Sequence, residues 1–340
     1  MSTNKINLER IRDLLKGESR NIVLLSHRNP DGDAIGSTLA LYNLFLKMGH
    51  KVSVLLPNAF PSFLRWMKNA NKIIIYERQE HKADKELSAA EIVFALDFND
   101  LNRIKEFHDK LSSDSVKILI DHHPGPTDFA DYSISDTRVS STAELIFTFI
   151  HDIGYGDLID KDIAGCIYAG IMTDTGCFSY NSSLPETYQI VASILEKGID
   201  KDAIYHKTYN NYSSDRMQLM GYCLDKKMVI LPEYRTAYIS LTQEELRKYN
   251  FKIGDSEGFV NLPLSIKGID FSVLLIEKSD MVRLSFRSRS NFAVNTIASD
   301  HFNGGGHKNA AGGESYVSIE ETIEKLVSLL PNYINALLPE

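Results

Sequence analysis

The chain has 340 residues, 43% hydrophobic and 24% charged, with a net charge of −8. That length exceeds one ordinary core and predicts two domains, and the composition is globular rather than disordered. No run of about 18 apolar residues occurs, which argues against a membrane-spanning helix and a membrane partner. The polar opening from Met1 to Arg20 does not read as a signal peptide.

Three cysteines, Cys166, Cys177 and Cys223, form no ligand-spaced pair and no disulfide framework. Such sparse usage predicts a reducing, cytoplasmic setting. The acidic balance argues against long DNA as a partner, because binding to a long polyanion is driven by phosphate contacts to a basic face. A small anionic substrate stays compatible, since bound divalent metals and a local basic cluster reverse the sign within a cleft.

In chain order, Leu8 to Lys16 reads as a short amphipathic helix and Asn21 to Leu25 as a buried strand. A polar Gly/Pro loop leads into an apolar helix from Ala34 to Met48, closed by Gly49. Further strands are predicted at Lys51 to Leu56, Ile73 to Tyr76, Ile92 to Asp97 and Val116 to Asp121, with a helix over Leu101 to Leu111. Alternating strands and helices predict an α/β fold, its mostly parallel sheet flanked by helices. Helices follow at Ser141 to His151, Lys161 to Met172, Pro185 to Lys197 and Lys201 to Tyr209. After a polar break at Asn210 to Ser214, a helix near Asp215 to Asp225 joins the halves. A smaller α+β part begins at Met228, with strands at Thr236 to Leu241, Phe271 to Glu277 and Met281 to Arg287. Its helices are expected at Ala293 to Ser299 and Ile319 to Leu330. The expected division is a metal-binding catalytic domain over 1–200, a helical linker over 201–225 and a substrate-binding domain over 226–340, with the active-site cleft between the two domains.

Four segments carry the chemistry. The first, Ser26-His27-Arg28-Asn29-Pro30-Asp31-Gly32-Asp33-Ala34, lies between a strand and a helix, where open α/β sheets bind ligands. One His and two Asp there can aim several ligand atoms at one centre; an Asx-rich turn with Asp33 as helix N-cap is the alternative. The second is Asp97, at the tip of the apolar run Ile92 to Leu96. A carboxylate there is costly unless paired or metal-bound; the alternative is a second cap. The third is Asp121-His122-His123-Pro124, again at a strand end. Neighbouring residues of an extended chain point to opposite sides, so one His can ligate while the other faces substrate. The fourth is Asp174, ending an apolar helix in Thr173-Asp174-Thr175-Gly176, poorly placed for the helix dipole without a cation. Taken jointly, oxygen and imidazole donors without thiolates suit a pair of divalent metal ions. Mn²⁺ is favoured, with Mg²⁺, Co²⁺ or Fe²⁺ as alternatives.

At these residues the chain resembles the DHH family of phosphoesterases, whose motifs match His27-x3-Asp31-x-Asp33, Asp97, Asp121-His122-His123 and Asp174. Gly304-Gly305-Gly306-His307 followed by Ala311-Gly312 is similar to the family's associated C-terminal domain. Length and outline are most similar to the NrnA-type oligoribonucleases, also described as exopolyphosphatase-related. The resemblance implies a metal-dependent phosphoesterase. Its activities would be cleavage of short RNA oligomers to mononucleotides and removal of the 3′-phosphate of adenosine 3′,5′-bisphosphate. Linear or cyclic dinucleotide phosphodiesterases and polyphosphate or pyrophosphate hydrolases are the alternatives. It further implies that His27 and Asp31 bind one metal, that Asp33, His122 and Asp174 bind the other, and that Asp97 bridges them. His123 would stand near the scissile phosphate.

In the C-terminal part, Gly304 to Gly306 offers an anion nest and His307 a phosphate donor. Arg287 and Arg289, in Phe286-Arg287-Ser288-Arg289-Ser290, share one strand face; a flexible turn and a solvated edge are the alternatives. Ser140-Ser141-Thr142 reads better as a helix cap than as a phosphate contact. No base-stacking aromatic stands out, and the oligomeric state is not legible; a homodimer is compatible with the sequence.

Overall fold

The computed structural model describes residues 3–289 and 291–337. They form two compact units, the first ending at Asn211 and the second beginning at Tyr212.

The first unit runs α1 (Thr3–Leu14), β1 (Asn21–Leu25), α2 (Gly32–Lys47), β2 (Lys51–Leu56), β3 (Ile74–Ile75), α3 (Tyr76–Ser88), β4 (Ile92–Leu96), β5 (Val116–Asp121) and β6 (Tyr132–Ser135). It continues through α4 (Thr142–Asp152), α5 (Lys161–Asp174), α6 (Pro185–Glu196) and α7 (Lys201–Tyr209). Its six strands are all parallel, in the order β3-β2-β1-β4-β5-β6. Both faces are covered, as a parallel sheet requires. Ile22, Leu24, Phe94 and Ile118 turn to one side, among residues of α2, α4 and α5. Val23, Leu25, Val93 and Leu119 turn to the other, beside Ala83 and Leu87 of α3. The strand order reverses between β1 and β4, so the chain leaving each of them frames the crevice where such sheets take ligands.

The helix expected over Leu101 to Leu111 is instead two short 3₁₀ turns, Leu101–Ile104 and His108–Lys110. Phe107 lies between them with φ of −151° and packs its buried ring against Tyr76, ring centroids 5.0 Å apart. Burying that ring outweighs continuing a helix with few apolar anchors.

The second unit contains α8 (Ser214–Tyr222), β7 (Met228–Leu231), β8 (Thr236–Leu241), α9 (Gln243–Lys248), β9 (Phe271–Glu277) and β10 (Val282–Ser288). Then come α10 (Val294–His301), β11 (Gly305–His307), β12 (Ala310–Ser315) and α11 (Ile319–Leu337). The sheet order is β11-β12-β10-β9-β8-β7, with β8 and β9 the parallel pair among antiparallel neighbours. Phe271, Val273, Leu284 and Phe286 pack with α10 and α11, while Ile239, Leu241 and Leu274 pack with α8 and Phe259.

The linker expected over 201–225 is not a separate body. Helix α7 packs on α5 of the first unit, with the Lys207 ammonium over the Trp66 ring. Leu219 and Cys223 are fully buried in the core of the second unit. Each half of the segment has its own apolar face to bury, and the break falls in the polar residues between them.

The Gly304–Gly306 stretch, expected as an anion nest, is built into the edge of the second sheet. Gly305–His307 forms an edge strand paired with β12, and the Gly304 N–H donates to the Ala298 carbonyl. A Cβ on Gly304 would run into the Gly312 carbonyl, and one on Gly306 would sit 2.7 Å from the Ala310 oxygen. Close backbone approach therefore accounts for these two glycines. Ser290, expected beside the arginines, lies outside the described residues.

Candidate metal centre

Four chain segments meet at the carboxyl ends of the parallel strands. Beyond β1, the buried Ser26 hydroxyl donates to the Leu96 carbonyl at 2.8 Å, tying the end of β1 to the end of β4. His27 follows, 5% exposed. Asp31, not Asp33, is the N-cap of α2: one of its oxygens accepts from Asp33 N and Ala34 N. Asp33 thereby falls within the first helical turn, and its carboxylate reaches the start of α4. It accepts from Thr142 N at 2.7 Å and Ala143 N at 2.9 Å.

That reach depends on how closely α2 and α5 pack. A Cβ on Gly36 would lie 2.5 Å from the Cys166 carbonyl. One on Gly170 would lie 2.5 Å from the Ala143 Cβ and 2.9 Å from Asp33 Oδ1. With a glycine on each helix, Gly36 and Gly170, the two backbones touch, and the touch brings Asp33, α4 and the end of α5 to one place.

Asp97 immediately follows β4, is 2% exposed and has φ of +64°. A non-glycine residue in this region stores strain of about 1 kcal/mol or more, a feature that clusters at functional sites. Its two oxygens face different partners. Oδ2 lies 3.4 Å from His27 Nε2; Oδ1 lies 3.7 Å from His122 Nε2 and accepts from the Thr142 hydroxyl at 2.8 Å. His122 Nε2 is also 3.6 Å from Asp174 Oδ2 and 3.9 Å from Asp33 Oδ2. Ligand-competent atoms of His27, Asp31 and Asp97 lie within 4.8 Å of one another, as do those of Asp33, Asp97 and His122. Atoms of Asp97, Asp121 and His123 meet the same limit, so Asp97 is common to three overlapping sets.

His123 takes a different part. The fully buried Asp121 accepts from its backbone N–H at 2.8 Å and holds ring Nδ1 at 2.7 Å. With Nδ1 pinned by a carboxylate, the ring orientation is set and Nε2 is left as the accepting nitrogen.

The electrostatics show a shortage of positive charge. Burial, with Asp33, Asp31, Asp121 and Asp174 nearby, pushes Asp97 well above the ordinary carboxylate range. Burial raises Asp33 to about 6 even though His122 opposes it. Burial lowers His27, assisted by the charge of Arg103. Burial and the neighbouring His122 hold His123 well below its usual value. Burial would also lower His122, but Asp174 and Asp33 outweigh it and raise the ring. Crowded carboxylates beside His27 and His123, both pushed toward the neutral form, make the kind of donor set that divalent cations require. Oxygen and nitrogen donors with no cysteine among them suit Mn²⁺ or Mg²⁺ better than a thiophilic ion.

All seven first-unit residues singled out by sequence, His27, Asp31, Asp33, Asp97, His122, His123 and Asp174, are gathered here. Arg287, Arg289, Gly304 to Gly306 and His307 lie in the second unit. Arg287 is half-buried on β10, on the strand face opposite Phe286, and its Nη1 donates back to the Phe286 carbonyl at 3.0 Å. Ser141 caps α4, accepting from Glu144 N, as the sequence suggested for this segment. The hydroxyl of Thr142 was not legible as a contact to Asp97, since no local pattern pairs residues 45 positions apart. Asp121 was visible as a carboxylate, but its hold on His123 was not.

The DHH family, N-terminal domain, matches residues 21–171, and the DHHA1 domain matches residues 236–336. A solved exopolyphosphatase-related protein from Bacteroides fragilis is 45% identical, with 99% of each chain covered and a TM-score of 0.92. The chain belongs to the DHH family. It is a phosphoesterase, a hydrolase acting on phosphoester bonds. The probable bifunctional oligoribonuclease and PAP phosphatase NrnA of Streptococcus mutans is 26% identical, covering 91% of this chain and 94% of its own. The bifunctional oligoribonuclease and PAP phosphatase NrnA of Bacillus subtilis is 24% identical, covering 87% and 89%. No helix among the described residues is long and apolar enough to cross a membrane.

Proposed function

We propose that this DHH phosphoesterase hydrolyses short oligoribonucleotides to mononucleotides and removes the 3′-phosphate of adenosine 3′,5′-bisphosphate, using two divalent ions, Mn²⁺ by preference. The observation that carries the two-ion reading is that Asp97 stands with His27 and Asp31 in one donor set and with Asp33 and His122 in another. His27 and Asp31 would hold one ion, Asp33, His122 and Asp174 would hold the other, and Asp97 would serve both. Bound there, such ions polarise the phosphoryl group and supply a nucleophile at neutral pH. The protein's own part is orientation. Asp121 fixes the His123 ring so that Nε2 can exchange a proton with the reacting phosphate ester. In the second unit, Arg287 and Arg289 take phosphate oxygens, assisted by His307 and the Gly304 to Gly306 strand edge.

Relatives named for oligoribonuclease and PAP phosphatase activity, aligned over most of both chains, support this choice of substrate. A second reading, hydrolysis of polyphosphate or pyrophosphate, has the description of the 45% identical structure in its favour. Linear and cyclic dinucleotides complete the set to be compared.

The test is a kcat/KM series over RNA of increasing length at one salt concentration with Mn²⁺, beside adenosine 3′,5′-bisphosphate, cyclic dinucleotides, pyrophosphate and polyphosphate. A chain of net charge −8 offers little attraction to a long polyanion. Oligomers of about two to five nucleotides are expected to be cleaved far faster than 20-mers, the counterion argument setting the direction. Equal or rising efficiency at the longer length would point to a processive exonuclease. Turnover confined to polyphosphate would establish the second reading.

A further inference from the structure

The first turn of α4 contains a buried acid that the proposed reaction does not use. Glu144 is 2% exposed, and its Oε2 accepts from the Ser140 N–H at 3.1 Å, the Ser140 hydroxyl at 2.7 Å and the Thr187 hydroxyl at 3.0 Å. Ser140 and Thr187 are buried as well. An oxygen that only accepts suits these converging donors, whereas an amide in its place would bring N–H groups needing partners of their own.

The position is that of a helix-capping pair, with a difference. Ser141 is the N-cap of α4, its side chain accepting from Glu144 N at 3.2 Å. In an ordinary capping box the glutamate reaches back to the N–H of the cap residue itself. Here it passes Ser141, takes both donors of Ser140 and crosses to the first turn of α6. Helix α6 is the next after α5, the helix that ends in Asp174. One carboxylate oxygen thus joins the loop after β6, the start of α4 and the start of α6. The turn it secures is the one that touches the candidate ligands. Thr142 N and Ala143 N, from the two residues before Glu144, donate to the two oxygens of Asp33 at 2.7 and 2.9 Å. The Thr142 hydroxyl donates to Asp97 Oδ1 at 2.8 Å. A rotation of this turn would lengthen the bonds to both carboxylates at once.

We propose that Glu144 is a positioning residue of the metal centre: from behind α4 it fixes the turn through which Thr142 and Ala143 orient Asp33 and Asp97. This rests on the reading that the donor sets containing those two carboxylates hold metal. Groups that orient metal ligands from behind are worth about 10- to 100-fold in metal affinity or activity. Glu144 acts one step further back, so the lower end of that range, about tenfold, is the expected effect of losing it.

The test uses the full chain as Glu144→Ala, Glu144→Gln and Thr187→Val. The control is Leu87→Ala, at a fully buried residue of α3 on the opposite face of the sheet. Calorimetric titrations with Mn²⁺ are made below the Tm of each protein, beside thermal melts of the metal-free forms. Glu144→Ala leaves its donors without an acceptor and should bind Mn²⁺ about tenfold more weakly. Glu144→Gln keeps one accepting oxygen and Thr187→Val keeps the bonds to Ser140, so each should lose about fivefold. Leu87→Ala should lower Tm through the cavity it opens, with Mn²⁺ affinity unchanged. Affinity within about twofold of the wild type in Glu144→Gln and Thr187→Val would overturn the proposal, that being less than one hydrogen bond. So would an equal loss of affinity in Leu87→Ala, because Glu144 would then contribute only to general stability. Should Glu144→Ala fail to fold, the other two variants decide by the same measure. A wild-type protein that binds no Mn²⁺ would sink the metal reading and this inference with it. One that binds Mn²⁺ but turns over no phosphate ester would sink the functional reading alone, leaving the titrations to decide the role of Glu144.

Discussion

The hydroxyl of Thr142 donates a 2.8 Å hydrogen bond to Asp97 Oδ1, the same oxygen that faces His122. Both residues are buried, and Asp97 holds a backbone conformation with φ of +64° that few side chains tolerate. The first turn of α4 therefore orients the carboxylate common to the donor sets, besides supplying two N–H groups to Asp33.

Replacing Thr142 by Val removes that donor and keeps the shape. A buried carboxylate that loses one of its donors costs about 1–3 kcal/mol, so turnover should fall about tenfold or more. Thr142→Ser, which keeps the hydroxyl, should stay near wild type. Steady-state kinetics with elemental analysis of bound metal check this; equal rates for the Val and Ser variants would remove the hydroxyl from the argument.

Two glycines of α5 make opposite predictions. At Gly170 an added Cβ meets Ala143 and Asp33, whereas at Gly165 the nearest atom is Ile204 Cδ1 at 3.8 Å. Gly165→Ala should raise stability by about 0.5–1 kcal/mol, the ordinary helix-interior gain. Gly170→Ala should lower it by about 1–3 kcal/mol through overpacking and weaken Mn²⁺ binding as Asp33 is pushed. Thermal melts and metal titrations read both. A Gly170→Ala protein with unchanged metal affinity would show that α5 moves without disturbing Asp33.

Metal and pH should be linked in a definite direction. Burial lifts Asp33 to about 6, and Asp97 is lifted as well. Raised carboxylate values mean that the metal-free folded state holds more protons than the unfolded chain. The contribution of these groups to stability is therefore present at low pH and lost as pH rises from the unfolded carboxylate range through about 6. Metal binding displaces those protons and removes the repulsion. The rise in Tm on replacing chelator with Mn²⁺ should be larger at about pH 7.5 than at about pH 5. A shift independent of pH would mean that these carboxylates are not the ligands.

Arg287 and His307 should act on substrate rather than on metal. Arg287→Ala and His307→Ala are expected to keep wild-type metal content while kcat/KM falls by about 10²-fold, the effect of losing one transition-state donor. Metal loss with substrate affinity intact would instead place these residues in the metal-binding machinery.

What the sequence determined by itself was the chemistry and the first sheet. Apolar runs such as Ile22 to Leu25 and Ile92 to Leu96 are buried on both faces, and hydrophobicity alone marks them as strands of a parallel sheet. Each candidate ligand lies within two residues of the end of a strand or helix, so the end of the run announces it. Short or edge strands, β6, β7 and β11, escaped because their pairing partners, not their own composition, make them strands. Tertiary structure alone decided that Asp31 caps α2 while Asp33 reaches across to α4, since both are equally good caps by type. It alone decided that Asp97 turns one oxygen to His27 and the other to His122 and Thr142. It also showed two glycines of the Gly304–Gly306 stretch to be close-packing residues. Each outcome depends on contacts between segments far apart in the chain. Their geometry follows from how helices and strands pack, which no local pattern of residues encodes.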